Sequence, residues 1–310
     1  MSDITPIDSA HDPPSDITPT DGGADTGFDF RNLDRRWIFL AMGLSIAIPM
    51  RMGIVFPEHP SQEVLDVFAT VEGLEDGSSV LMAYDYDPAS KGELEPMAAA
   101  FVRHCAQKKH KLYFITLWPA AVPMLQKNIA ILNREYPEYT YGEDYVNLGF
   151  RPGSEGVIKV VVTDLKKLYA NDVDGTDLNE LPLTANLKNI QSMDLIINVS
   201  AGTPGAKEWV QYAATPFDIK MVAGVTGVGY TPLVPYVPKQ LAGILGAIKA
   251  AAEYEEAVLL EYPELRANPA TQEGLRKMGP QLVAHMLIIG LIIVGNVIFF
   301  FFTDRKRGVS

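Results

Sequence analysis

The chain has 310 residues, with 26 Lys and Arg against 38 Asp and Glu and a formal net charge of −12 at pH 7. That acidity argues against nucleic acid as a partner, because its phosphates need a basic face. A single cysteine, Cys105, excludes an internal disulfide framework, and the length holds one large domain or two small ones.

Residues 1–30 contain seven Asp and no Lys or Arg, among Pro, Ser, Thr and Gly. Such a segment buries too little apolar surface to offset chain entropy, so it reads as a disordered acidic tail. Within it Ser-Asp-Ile-Thr-Pro occurs at 2–6 and again at 15–19. Arg31, Arg35 and Arg36 then precede a 20-residue apolar stretch, 37–56 (WIFLAMGLSIAIPMRMGIVF). This predicts a first transmembrane helix, kinked at Pro49, with Arg51 close enough to the far interface for its charged head to reach water.

The domain expected at 57–265 alternates apolar runs with helical periodicity. Ser79–Tyr86, Lys111–Trp118, Asp144–Phe150, Asp194–Ser200 and Lys220–Thr226 read as strands. Glu93–Lys109, Val122–Tyr136, Ser154–Tyr169, Gly205–Ala214 and Lys239–Leu260 read as helices. Near-continuous apolar strands separated by helices predict a doubly wound, mostly parallel five-stranded sheet, a Rossmann-like order 3-2-1-4-5. Residues 171–190 would be the long connection past the first strand. A polar link over 266–280 leads to the second apolar stretch.

That stretch, 281–302 (QLVAHMLIIGLIIVGNVIFFFF), has 22 residues and none of Asp, Glu, Lys or Arg. At 1.5 Å per residue it reaches roughly 33 Å, enough to cross a hydrocarbon core of about 30 Å. Arg305, Lys306 and Arg307 follow in the 303–310 tail. Basic flanks outside both stretches predict two spans in the cell membrane, with cytoplasmic termini and an extracytoplasmic domain. Arg276 and Lys277, on the domain side, weigh against that orientation. Counting inward from the flanks puts Ser45 level with Asn296, and Arg51 level with Gln281 and His285. Gln281, His285, Ile292 and Asn296 share one helical face, which is expected to pack on the first span or on a partner subunit.

In an open parallel sheet, ligands bind beyond the carboxyl ends of the strands where the strand order reverses. The loops meeting there carry Asp85, Asp87 and Ser90 after the first strand, and Ser200, Gly202 and Thr203 after the fourth. Thr226 and Gly227 end the fifth strand beside them. Asp85 and Asp87 would place two carboxylates in one crevice, suited to a cation or a hydroxyl-bearing ligand. The 200–205 loop opens a helix whose free N–H groups suit an anion. Against this stand ordinary turn and capping roles for the same residues.

The sequence lacks a Gly-x-Ser-x-Gly elbow, a His-Glu-x-x-His motif and a Cys-x-x-Cys pair. His104 and His110 fall at the wrong rim of the sheet for a serine–histidine mechanism. Asp172, Asp174 and Asp177 match a calcium loop only loosely. No catalytic residue, metal ligand or cofactor is assigned. The expected function is a non-catalytic binding or assembly module of a membrane complex, joined through its transmembrane helices to the bilayer and to other subunits. The alternative is a carboxylate-dependent, metal-assisted enzyme working from Asp85, Asp87 and the 200–205 loop.

Overall fold

The computed structural model describes residues 34–53 and 55–300. The acidic tail, Arg31, and the basic residues Arg305, Lys306 and Arg307 lie outside the described residues. In chain order the elements are α1 (Arg35–Met52), α2 (Gln62–Glu72), β1 (Ser79–Asp85), α3 (Lys91–Gln107), β2 (Lys111–Thr116), α4 (Val122–Glu135) and β3 (Tyr145–Phe150). They continue with α5 (Glu155–Val161), β4 (Leu195–Ser200), α6 (Ala206–Trp209), α7 (Thr215–Phe217), β5 (Met221–Val225), α8 (Gly227–Tyr230), β6 (Gly243–Gly246), α9 (Ala247–Glu261) and α10 (Glu273–Ile298).

The six strands form one parallel sheet in the order β3-β2-β1-β4-β5-β6. The first five follow the expected order, and β6 is an addition at the β5 edge. Alternation along each strand sends side chains to two separate cores. Val80, Met82 and Tyr84 of β1 join Val64, Phe101, Leu132 and Tyr254, from α2, α3, α4 and α9. Leu81 and Ala83 join Val157, Ile158, Trp209 and Leu233 on the other face. With both faces covered, β1 from Val80 to Asp85 is wholly buried, which is why its sequence shows no polar alternation. Each large side chain so buried contributes roughly 1.5–3 kcal/mol.

Three expectations are corrected. The run Lys239–Leu260 is not one helix: Gly243–Gly246 pairs with Val222–Val225 as β6 before α9 begins. A Cβ on Gly243 would lie 2.6 Å from a methyl of Val67, so β6 runs tight under α2 where no larger residue fits. The helix expected over Ser154–Tyr169 stops at Val161, and the Asp164 carboxylate then accepts from Lys167 N in a new turn. Nor is 266–280 a free polar link. Thr271, Gly274 and Leu275 are buried, and α10 rises directly from the domain. Gly274 N and Leu275 N donate to the buried Glu255 carboxylate at 2.9 and 3.0 Å, so a side chain of α9 caps the first turn of α10.

Among the described residues one helix, Pro269–Ile298, is long and apolar enough to cross a membrane, and its apolar window is unburied. α1 does not match it, because Arg35, Arg36 and Arg51 fall within its 18 residues. The two helices nevertheless lie side by side and antiparallel. A Cβ on Gly53, just after α1, would lie 3.7 Å from the Arg276 guanidinium in the opening turns of α10. Ile38, Ala41, Met42, Ser45 and Pro49 form the more covered face of α1, and Pro280, Ala284, Leu287 and Leu291 that of α10. Both sets recur at three- and four-residue steps, the spacing of a helix–helix seam.

Candidate functional site

The strand order reverses between β1 and β4, whose ends are in register at Asp85 and Ser200. Asp85 has no exposed surface. One carboxylate oxygen accepts from Leu117 N at 2.7 Å. The other accepts from Asn198 Nδ2 at 2.8 Å and from the Trp209 indole at 2.9 Å. Burial pushes its pKa up to about 7, against the pull of those three donors. Asp85 therefore ties the loop after β2, strand β4 and helix α6 together from below the crevice. Trp209, fully buried, supplies the reason: its indole N–H needs an acceptor inside the core.

Asp87 is half-buried, and its carboxylate accepts from Ser90 N at 3.0 Å and Ser90 Oγ at 3.1 Å. That is a turn closing onto the start of α3. The expected two-carboxylate crevice is thus not formed. Asp85 is withdrawn into the core, and Asp87 and Ser90 are engaged with each other.

Four of the remaining candidates do come together. Ser200, Gly202, Thr203 and Thr226 line a cleft of about 250 Å³ with Lys207, Val228 and Pro232, beyond the carboxyl ends of β4 and β5. Several backbone donors around it are engaged. Ala206 N bonds Ser200 Oγ at 2.9 Å and Gly205 N bonds Glu208 at 2.8 Å. Gly229 N bonds Thr226 Oγ1 at 3.3 Å, and Gly227 N bonds Glu93 at 3.0 Å. Of the N–H groups expected to be free after β4, those of Gly205 and Ala206 are therefore taken by the protein's own side chains. Trp118 lies against this loop, its indole donating to Pro204 O at 2.8 Å. Lys207 is the cation sequence reasoning passed over; its place one residue into the helix after the loop was the available signal.

Gly227 lines a neighbouring cleft of about 280 Å³ with Ser61, Tyr230, Lys249 and Glu253. Buried Glu253 accepts from Ser61 N at 3.0 Å and Ser61 Oγ at 2.6 Å, and pairs with Lys249. Among the described residues, no three His, Cys, Asp or Glu side chains gather closely enough to hold a metal ion.

A second polar cluster lies where α2, α3 and α9 meet, with His104 buried and Glu72 half-buried. Glu72 receives His104 Nε2 at 2.9 Å and Tyr262 OH at 2.8 Å, while His104 Nδ1 lies 2.7 Å from Tyr254 OH. Phe68 stacks on the imidazole with ring centroids 4.7 Å apart. The bond from His104 draws the Glu72 pKa down to about 2, and burial lowers that of His104. A neutral imidazole donating to Glu72 and accepting from Tyr254 satisfies all of these groups. The cluster works as a clamp between helices.

The membrane-helix candidates are placed differently from expectation. Ser45 is half-buried on the α1 side of the seam, and its hydroxyl donates to Met42 O at 2.8 Å. Gln281, His285 and Asn296 are exposed. They lie roughly 120° around α10 from the seam residues, at 100° per residue. They therefore do not pack on α1. The end of α1, at Met50 and Gly53, meets α10 between Glu273 and Pro280, so Ser45, further back along α1, falls well short of Asn296. No protein-family model matches the chain, and no curated protein matches it.

Proposed function

We propose that this chain is a membrane-anchored α/β module that binds and assembles with other membrane subunits, with α1 and α10 both entering the bilayer. One observation carries the reading: an exposed apolar helix pair, α1 and α10, whose outward side bears three polar residues. Trp37, Phe39, Leu40 and Ile48 of α1 and Met286, Ile289, Ile293 and Val297 of α10 are exposed. Water penalises such a surface and lipid accepts it. Gln281, His285 and Asn296 within it are unpaired by α1, and polar side chains in lipid gain from a partner helix. The α/β domain, joined to α10 through the Glu255 cap, would then be held at one membrane face. The basic flanks favour cytoplasmic termini and an extracytoplasmic domain.

The carboxylate-dependent enzyme has less behind it, since the oxygens of Asp85 are all engaged by protein donors. The test is purification from native membranes in mild detergent, after carbonate washing. The wild type should resist carbonate and run in an assembly larger than one chain. The Q281L/H285L/N296L variant should stay in the membrane but run alone. A wild type that runs alone, or a variant that keeps the assembly, sinks the proposal, and protease added to intact cells checks the orientation.

A further inference from the structure

A cleft of about 400 Å³ opens where α1 and α10 meet the domain. Its walls are Met50 and Gly53 from the end of α1, Pro269 and Ala270 from the turn before α10, and Glu273, Arg276, Lys277 and Pro280 from α10 itself. Pro280 is the last residue before the uncharged stretch that begins at Gln281. If that stretch enters the bilayer, the cleft stands at headgroup depth; the inference rests on the anchoring reading to that extent.

The two cations of the cleft differ. Lys277 pairs with Glu273 at 2.8 Å and donates to Gly92 O at 3.0 Å, which spends it on holding α10 to the start of α3. Arg276 is exposed, and among the described residues no carboxylate pairs with it. Arg51, next to Met50 in the last turn of α1, adds a further positive charge near the rim. A guanidinium presents a planar fork of donors that matches phosphate oxygens. Met50, Pro269 and Pro280 supply apolar walls beside it. Cation and apolar wall side by side, at a membrane boundary, match an amphiphile with a negative head rather than a soluble anion, which would leave the apolar walls uncovered.

We propose that this cleft binds the headgroup of an anionic phospholipid, its phosphate on Arg276 and its glycerol and upper acyl carbons on Met50 and Pro280. The site would set the depth and tilt at which the helix pair leaves the domain, because its walls come from both helices.

The experiment uses the full chain in dodecyl maltoside, followed by thermal unfolding during titration with phosphatidylglycerol, phosphatidylcholine or inorganic phosphate. Phosphatidylglycerol should protect at lower concentration than phosphatidylcholine. Arg276→Gln should weaken that protection about five-fold, the share of one basic residue near an anionic surface. Ala270→Trp, which fills the cleft without changing charge, should weaken it too. Equal protection by the two lipids overturns the proposal, as does a preference that survives Arg276→Gln. Inorganic phosphate protecting as well as the lipid assigns the site to a free anion and also overturns it. Release of the wild type by carbonate removes the anchoring reading and this site with it; a carbonate-resistant protein with no lipid preference removes the site alone.

Discussion

Replacing Asp85 separates two opposing contributions at the heart of the fold. Asp85→Ala leaves Leu117 N, Asn198 Nδ2 and Trp209 Nε1 buried without their acceptor. At about 1–3 kcal/mol for each stranded donor, the loss is on the order of 5 kcal/mol, comparable with the whole stability of many domains. Asp85→Asn keeps the shape and one acceptor oxygen. If that oxygen faces Asn198 and Trp209, the amide N–H₂ meets Leu117 N, a single mismatch of about 2–3 kcal/mol. The pH dependence then decides between hydrogen bonding and burial. The folded-state pKa, about 7, lies above the unfolded value. A carboxyl raised in this way contributes stability fully present below the unfolded value of about 4, and loses it as pH rises through the folded one. The wild type should therefore lose up to about 4 kcal/mol between pH 4 and pH 7 from this group, while the Asn variant has no such slope. Urea unfolding followed by tryptophan fluorescence, with Trp209 beside the substitution, measures both. The gap between wild type and Asp85→Asn should be widest at pH 4 and below and should have closed by the time pH passes 7. A gap that widens as pH rises would mean the carboxylate is held ionised, and the burial argument would be wrong.

Glu255 follows the same sign, since burial pushes its pKa up to about 8 against the pull of Gly274 N and Leu275 N. Glu255→Gln should remove a loss of stability that the wild type shows between about pH 4 and pH 8. Glu255→Ala should raise amide exchange across 273–280, and unchanged exchange there would show that α10 is not held by this cap. His104→Ala strips partners from Tyr254 and Glu72 and removes the ring under Phe68; a loss of about 3 kcal/mol in urea midpoint analysis is expected. A loss below 1 kcal/mol would mean that the clamp joining α2, α3 and α9 is incidental. Gly243→Val drives a side chain into Val67 and should destabilise by more than 2 kcal/mol, with amide protection lost first in β6. Equal protection across all six strands would contradict the edge position of β6.

The legible parts of this chain are those written in local pattern. Runs such as Val80–Tyr84 and Leu195–Val199 carry no polar alternation because both sheet faces are covered, so strand positions and most of their order could be read directly. The uncharged length of 281–298 likewise marks a helix long and apolar enough to cross a membrane without any knowledge of its neighbours. What the pattern does not contain is which surface meets which. β6 hides in an Ala- and Gly-rich run because its identity depends on the room left under Val67. Asp85 resembles a ligand-binding carboxylate until Trp209, 124 positions later, takes it into the core. The stripe of Gln281, His285 and Asn296 is visible in the spacing, but its direction is set by the Pro49–Pro280 seam. Periodicity follows from the geometry of one backbone, so composition alone carries it. Burial, pKa and docking follow from the distance between segments remote in the chain, which only the folded arrangement supplies.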